Sequence, residues 1–232
     1  MKKLGLIGGL SWRSTARYYQ IINEGIAHRQ GGLHSAPLLI ESLDFATVAG
    51  SVSSTDWDNA GDVLIAAAGR LRDAGAEGLL ICANSIHVIY DRISEAVDIP
   101  VIHIAEAVGT KMKADGIKTA AIVGTRNVMM EKFYRQRLVS YGISLLPPDM
   151  ELADRIDEIV YKELVLGKVA RDSERFMKSE LTDIAKQQVQ AVVLACTELE
   201  MIVDVRANVL PIYDSTTIHA AAGIDFILTE KS

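Results

Sequence analysis

The chain contains two cysteines, and each one ends a short apolar stretch. Cys82 closes residues 78–82 and Cys196 closes residues 191–196. Aliphatic and β-branched runs of this length predict buried strands, and open α/β sheets bind their ligands beyond the carboxyl ends of their strands. We therefore expect both thiols to lie where a ligand would bind.

Two thiols that face one carbon atom can exchange its protons. A thiolate on one side removes the proton and a thiol on the other side donates one, so the configuration at that carbon inverts. A free thiol with a pKa of ~8.5 is only a few per cent ionised at neutral pH. We expect the positive end of a helix directly after Cys82 and Cys196 to favour the thiolate. The ordinary alternative for a free cysteine is a small, unreactive core residue.

The composition is that of a globular protein that binds neither nucleic acid nor membranes. Of its 232 residues, 49% are hydrophobic and 23% are charged, which is enough for a packed core. The 24 basic and 30 acidic residues give a net charge of −6 and are interspersed, so no polybasic surface is expected. No apolar run reaches the ~20 residues of a membrane helix. We expect a cytoplasmic protein whose thiols stay reduced.

The order of predicted elements indicates an α/β fold. Strands separated by helices are typical of parallel βαβ units, and the two halves share one layout: a strand with a glycine turn, a second strand, and a strand that ends at a cysteine. This repeat predicts two flavodoxin-like lobes that face each other across a cleft, residues 1–103 plus 215–232 in the N-terminal lobe and residues 104–214 in the C-terminal lobe. One continuous doubly wound sheet is the alternative. The predicted strands are 3–7, 38–42, 78–82, 101–104, 119–123, 143–145, 191–195 and 210–213. The predicted helices are 14–29, 58–74, 86–97, 105–115, 131–141, 151–166, 173–188 and one that starts near 217.

Three segments resemble the signatures of the aspartate/glutamate racemase superfamily, which works without pyridoxal phosphate. They are residues 4–12 (LGLIGGLSW), 82–87 (CANSIH) and 195–198 (ACTE), and the similarity extends along essentially the whole chain. The resemblance implies two lobes with parallel sheets related by a pseudo-twofold axis, an active site in the cleft between them, no cofactor and a homodimer. It also implies that Cys82 and Cys196 are the paired bases of an amino-acid racemase.

The resemblance further implies where an amino-acid substrate binds. The residues after each cysteine and the threonine of the second glycine turn would hold the α-carboxylate and the amino group, and the tight turn at Gly9 would let the substrate approach the backbone. Backbone N–H groups at helix starts, with amide and hydroxyl donors, bind a carboxylate and stabilise developing negative charge; Glu198 would receive the α-ammonium. The expected substrate-binding residues are Gly9, Ala83, Asn84, Ser85, Thr125, Thr197 and Glu198.

Two positions separate this chain from aspartate-specific members of the superfamily. Those members hold the side-chain carboxylate with an arginine and a lysine, and by the resemblance the corresponding places fall near Val48 and Val165, neither of which is cationic. A carboxylate desolvated without a partner costs several kcal/mol, so aspartate specificity is not expected. Residues 42–45 (SLDF) and 162–167 (KELVLG) resemble the broad-specificity amino-acid racemase branch more closely. Arg13 is either a substitute cation or a solvated arginine at a helix start.

Other functions remain as alternatives at this stage. Within the superfamily these are an aspartate or glutamate racemase proper and a maleate-isomerase-like or decarboxylase-like enzyme that acts on a dicarboxylic acid, with one cysteine as nucleophile or proton donor. Outside enzymes, the alternative is a protein that binds an amino acid without turnover. Dinucleotide binding is disfavoured because the Gly-x-Gly-x-x-Gly pattern is absent. His87 either tunes the pKa of Cys82 or is structural, His103 and His219 are expected to be structural, and no histidine has metal-ligand spacing.

Overall fold

A computed structural model describes residues 1–52 and 57–230 of the chain. These ranges form eight strands and ten α-helices, none of which is both long and apolar enough to cross a membrane. The strands are β1 Leu4–Gly8, β2 Leu38–Ser42, β3 Gly78–Ile81, β4 Val101–Ile102, β5 Thr119–Gly124, β6 Ser144–Leu145, β7 Ala191–Ala195 and β8 Ile212–Asp214. The helices are α1 Trp12–Gln30, α2 Phe45–Val52, α3 Trp57–Asp73, α4 Tyr90–Glu95, α5 Ile104–Ala114, α6 Arg126–Met130, α7 Lys132–Ser140, α8 Met150–Lys162, α9 Arg171–Ala185 and α10 Ser215–Leu228.

The strands form two separate parallel sheets with the same strand order. The first sheet runs β2-β1-β3-β4 and the second runs β6-β5-β7-β8. All pairs are parallel, as in β1 with β3 and β5 with β7. The α/β fold with two parallel sheets is therefore confirmed, and the alternative of one continuous sheet is wrong.

The central strands are buried because helices cover both of their faces. Every residue of β1, β3 and β7 is buried, which is why these strands are continuous apolar runs and not alternating patterns. Successive side chains of a strand point to opposite faces. Leu79 and Ile81 accordingly pack with the α3 side, whereas Leu80 and Cys82 pack with apolar residues of α1 and α10.

The chain divides into two compact units of similar size. One contains residues 1–103 and 219–232 and the other contains residues 104–218. Residues 215–218 thus group with the second unit, whereas the sequence placed them with the first. The contact that ties them there is a hydrogen bond of 2.8 Å from the Ser215 hydroxyl to the Leu194 carbonyl in β7. Residues 231 and 232 of the predicted first lobe lie outside the described residues.

Several elements differ from the sequence prediction. Helices α2 and α6 were not predicted, since each is only five to eight residues long and shows little helical periodicity. The expected continuous helix over 86–97 is wrong: a 3-10 helix, Ser85–Ile89, precedes the short helix α4. The 3-10 helix contains the β-branched residues Ile86 and Val88. Because such residues are weak α-helix formers, they disfavour an α-helix over this segment.

A tight turn after β1 requires glycine at position 9. Gly9 has a φ of +78°, and a Cβ atom there would overlap the backbone of Leu43. The Gly9 N–H donates to the Thr15 hydroxyl at 2.8 Å, and the Leu43 N–H donates to the Gly8 carbonyl at 3.0 Å. These contacts hold the end of β1 between α1 and the segment that follows β2.

Replacing Gly9 should therefore destabilise the protein more than backbone strain alone predicts. We expect Gly9→Ala to lower the free energy of unfolding by about 3 kcal/mol or more, because strain and steric overlap add. Gly116 is the matched control, since it has a φ of +75° and no atom near its Cβ position; Gly116→Ala should cost only ~1–2 kcal/mol. Denaturant unfolding measures both values, and equal losses would contradict the steric argument.

Candidate active site

Cys82 directly follows β3 and continues its pairing by one residue. Its N–H donates to the Ile7 carbonyl at 2.9 Å, so the backbone at Cys82 is held by the neighbouring strand β1. The side chain is fully buried. Burial disfavours the thiolate and raises the pKa of Cys82 far above its usual range. The thiol is therefore neutral in this structure.

Cys196 follows β7 and lies beside a carboxylate. Its thiol donates to Oε2 of Glu198 at 3.4 Å, and the Thr197 hydroxyl donates to the same oxygen at 2.7 Å. Burial raises the pKa of Cys196, the charge of Glu198 raises it further, and hydrogen bonds from the backbone N–H groups of Glu198 and Leu199 oppose the change only partly. This thiol is also neutral.

The predicted help from a helix N-terminus is present at Cys196, where the backbone N–H groups of Glu198 and Leu199 lower the thiol pKa, but burial outweighs it. At Cys82, burial alone shifts the pKa. The segments after the cysteines are 3-10 helices of five residues, Ser85–Ile89 and Thr197–Met201, and a dipole grows with the number of aligned peptide groups. The desolvation of a fully buried thiol is larger than the help that so short a helix provides.

Asn84 is the clearest sign of a ligand among the predicted binding residues of the first unit. Its side chain is 4% exposed, and neither its amide nitrogen nor its amide oxygen has a hydrogen-bond partner among the described residues. A buried amide without partners costs free energy that most proteins avoid. Ala83 and Ser85 flank it in the loop that begins at Cys82, and Gly9 lies in the turn after the adjacent strand β1. An amide in this state is suited to a polar ligand.

In the second unit, the turn after β5 supplies the predicted Thr125. Thr125 is the N-cap residue of α6 and is buried. The following N–H, that of Arg126, donates to the Asp157 carboxylate of α8 at 2.8 Å, and the Arg126 side chain pairs with Asp154. The start of α6 is thus fixed by two acids of α8, and the Arg126 guanidinium is already paired.

Tyr161 of α8 is a candidate residue that the sequence did not reveal. Burial raises the pKa of Tyr161, and the charges of Asp157, Cys196 and Glu198 raise it further. The Tyr161 phenol therefore lies within electrostatic range of Cys196 and Glu198, although 43% of the Tyr161 surface is exposed. In the sequence, only the position of Tyr161 four residues after Asp157 could have indicated it, because this spacing places both side chains on the same face of α8.

Three buried histidines pack against one another, and one of them, His87, contacts the loop that starts at Cys82. The ring centroid of His87 lies 4.7 Å from that of His103 and 5.6 Å from that of His219. His219 Nε2 lies 2.8 Å from the Ile102 carbonyl, which can only accept, so this nitrogen carries the proton. Nδ1 then accepts from the Tyr18 hydroxyl at 2.8 Å. Burial lowers the pKa of His219 to about 4, and the bond to Ile102 opposes this only partly.

His87 ties the loop to the helix that follows it. Its Nδ1 lies 2.8 Å from the carbonyl oxygen of Ala83, so Nδ1 carries the proton and donates. Ala83 is the residue between Cys82 and Asn84. The hydrogen bond therefore fixes the backbone between the thiol and the unpaired amide.

The sequence analysis linked three residues to substrate specificity, and the structure places two of them in apolar cores and the third against an aromatic ring. Val48 is fully buried in a core of the first unit, and Val165 packs against the core of the second. The Arg13 guanidinium lies over the Trp12 ring, 4.4 Å from its centroid. Within residues 1–52 and 57–230, no three side chains of histidine, cysteine, aspartate or glutamate come together as a metal-binding group.

Comparisons with known proteins agree with this arrangement. Residues 7–223 match the family model of Asp/Glu/hydantoin racemases. The crystal structure of a Yersinia pestis protein provisionally described as an Asp/Glu racemase is similar to this chain with a TM-score of 0.91 and 37% identity, over 99% of this chain and 100% of the other. An aspartate racemase homologue from Pyrococcus horikoshii gives a TM-score of 0.83 at 26% identity, over 99% and 100% of the two chains. The broad-specificity amino-acid racemase RacX of Bacillus subtilis is 22% identical over 177 residues, which are 76% of each chain.

The neutral state of His219 should make the protein less stable in acid. Its pKa of about 4 lies below the unfolded value of ~6.5, so its contribution to stability is complete above that value and is lost as the pH falls towards 4. The glutamine of His219→Gln can still donate to Ile102 but does not titrate. Between pH 6.5 and pH 4, we expect the free energy of unfolding to fall by roughly 3 kcal/mol less in this variant than in the wild type. Urea unfolding at several pH values measures this. The exposed His28→Gln is the control, and parallel curves for wild type and His219→Gln would refute the assignment.

The hydrogen bond from His87 should control how often Cys82 becomes accessible. An asparagine places its amide nitrogen near the position of Nδ1, whereas leucine has no donor. We expect His87→Leu to raise the rate of Cys82 alkylation by roughly tenfold, because a lost buried hydrogen bond favours local opening, and His87→Asn to change it little. Mass spectrometry of the alkylated peptides measures both thiols, with Cys196 as the internal reference. Equal rates of Cys82 alkylation in His87→Leu and His87→Asn would contradict this role of the His87 hydrogen bond.

Proposed function

We propose that this chain, which belongs to the Asp/Glu/hydantoin racemase family, is a cofactor-independent amino-acid racemase with Cys82 and Cys196 as its two acid–base groups. The observation that carries the proposal is their equivalent place in the fold. Cys82 follows β3 and Cys196 follows β7, and each strand is third in a sheet of the same order. Ligands of open α/β sheets bind beyond the carboxyl ends of such strands.

In the proposed reaction, one cysteine acts as base and the other as acid. A thiolate takes the α-proton from one face of the substrate, and the thiol of the other cysteine donates its proton to the opposite face. The carbon keeps its four bonds and its configuration inverts, and the reverse reaction exchanges the two roles. The Asn84 amide and the hydroxyls of Thr125 and Thr197 would hold the substrate and stabilise the charge that develops on its carboxylate.

The high resting pKa of the thiols suits this chemistry once a thiolate forms. The α-proton of an amino acid is weakly acidic, and a conjugate base of higher pKa removes it more readily. Glu198 accepts the hydrogen bond of the Cys196 thiol and so fixes the orientation of that thiol. In this proposal Glu198 also meets the substrate ammonium, whose positive charge favours the thiolate nearby.

The apolar positions support a substrate with a neutral side chain. Val48 and Val165 stand where aspartate-specific members carry cations, and both pack into cores. A second carboxylate would therefore lose its hydration without gaining a partner. Because RacX is described as a broad-specificity amino-acid racemase, we propose a similar breadth here. The homodimer and the cytoplasmic location stay predictions.

Racemisation in heavy water tests the proposed function. Single L-amino acids with neutral side chains should give the D-enantiomer with deuterium at the α-carbon, measured by chiral chromatography with mass detection. We expect Cys82→Ala and Cys196→Ala each to lower net racemisation by roughly 10²–10⁴-fold, the usual contribution of an acid–base group. Any deuterium exchange that persists in either variant should involve one enantiomer only.

The controls separate loss of chemistry from loss of fold. Cys82→Ser and Cys196→Ser keep the side-chain size and should stay folded but inactive. Cys196→Ser can still donate to Glu198 and should unfold close to the wild type, whereas Cys82→Ser buries a hydroxyl among apolar side chains and should lose ~1–3 kcal/mol of stability. Full racemase activity in any single-cysteine variant would rule out the two-base mechanism. A covalent adduct on one cysteine with a dicarboxylic acid would instead favour the maleate-isomerase-like alternative.

A further inference from the structure

The outer edge of the second sheet is open beside a cavity. Strand β6 pairs with β5 only at Thr119 and Ala120, whereas β2 pairs with β1 over five residues. The Leu146 N–H still donates to the Ala120 carbonyl at 3.0 Å. Pro147 and Pro148 follow, and proline has no N–H to continue a ladder. The pairing of β5 on this side therefore ends early.

The open edge presents a donor and an acceptor from Ile122. Peptide groups of alternate residues in a strand point to the same side, so the N–H and C=O of Ile122 point to the side of Ala120 that faces β6. The next acceptor on that side would be the Leu146 carbonyl, which accepts instead from Nη2 of Arg135 at 2.6 Å. Ile122 thus offers the pair of groups that an extended amide binds.

The cavity at this edge is large enough for a small organic molecule. Its volume is about 530 Å³, within the range of ~300–1,000 Å³ for small-molecule sites. Its inner wall is apolar and belongs to the core of the second unit. The wall side chains are Ala121, Ile122, Met129, Leu146, Leu152 and Ile184.

The polar lining of the cavity is mainly acidic. Asp149, Glu151, Glu180 and Asp183 line it together with one cation, Arg135. Asp149 caps α8 by accepting from the Leu152 N–H, and Asp183 pairs with Lys186. Across the described ranges Glu180 has no ion-pair or hydrogen-bond partner. The half-buried Glu180 has a raised pKa, caused first by burial and then by the charges of Asp183 and Asp149.

These features select for a cation that also carries an amide. An ammonium near Glu180 would relieve the repulsion among the carboxylates, whereas a carboxylate would add to it. An amide can pair with Ile122, and an apolar side chain can cover the inner wall. We propose that this cavity binds a small α-amino amide, of the size of an amino-acid amide. The proposal concerns the second unit alone and does not rest on the racemase function.

Four probes of one skeleton test each part of this recognition by isothermal titration calorimetry. Leucinamide carries the ammonium, the amide and the apolar side chain. Leucine replaces the amide by a carboxylate, N-acetylleucinamide lacks the ammonium, and isoamylamine lacks the amide. We expect leucinamide to bind about tenfold or more tightly than each of the other three, since each lacks one favourable contact or adds repulsion.

Variants then locate the binding. Glu180→Gln should weaken leucinamide about tenfold, and Asp149→Asn, which keeps a good helix cap, should weaken it severalfold. Glu174→Gln is the matched control, because Glu174 is an exposed residue of the same helix that does not line the cavity, and it should bind like the wild type. Equal affinities for leucinamide and leucine, or equal affinities in the Glu180→Gln and Glu174→Gln variants, would overturn the proposal. Racemase activity should be unchanged in all three variants.

Discussion

Parallel backbone pairing of the central strands is the interaction on which the rest of the structure depends. The hydrogen bond from the Cys82 N–H to the Ile7 carbonyl extends the first sheet to the cysteine itself. In the second sheet, the register pairs Ala195, the residue before Cys196, with Gly124 at the end of β5. The Cys82 backbone therefore cannot move without breaking a ladder hydrogen bond, and Cys196 directly follows the last paired residue of β7. The loops with Asn84 and with Glu198 start from these fixed points.

Burial then decides the resting state of both thiols. A thiolate loses far more hydration energy on burial than a five-residue 3-10 helix returns through its dipole. The two thiols nevertheless have different surroundings. Cys82 lies in an apolar cluster with Leu80, whereas Cys196 donates to a carboxylate.

The two sheets share a strand order but differ at their outer edges. β2 follows β1 for its full length, and β6 leaves β5 after two residues because Pro147 and Pro148 cannot donate to the ladder. An open edge is a liability that proteins usually cover. Here it is lined by a cavity with acidic groups at its rim. The difference arises from two residues in a loop, and the order of the strands is unaffected.

The sequence by itself determined the strands, because a buried parallel strand must be a continuous apolar run. The limits of the fully buried β7 match the predicted 191–195, and Cys196 directly follows them. The edge strand β2 also matches the predicted 38–42, although none of its residues is buried. Tertiary structure alone decided the 3-10 helix after Cys82, the proximity of Tyr161 to Cys196 and the raised pKa values of the thiols. These depend on desolvation and on charges from residues distant in the chain. No local pattern of residues records such contacts, because they arise only when separate elements pack together.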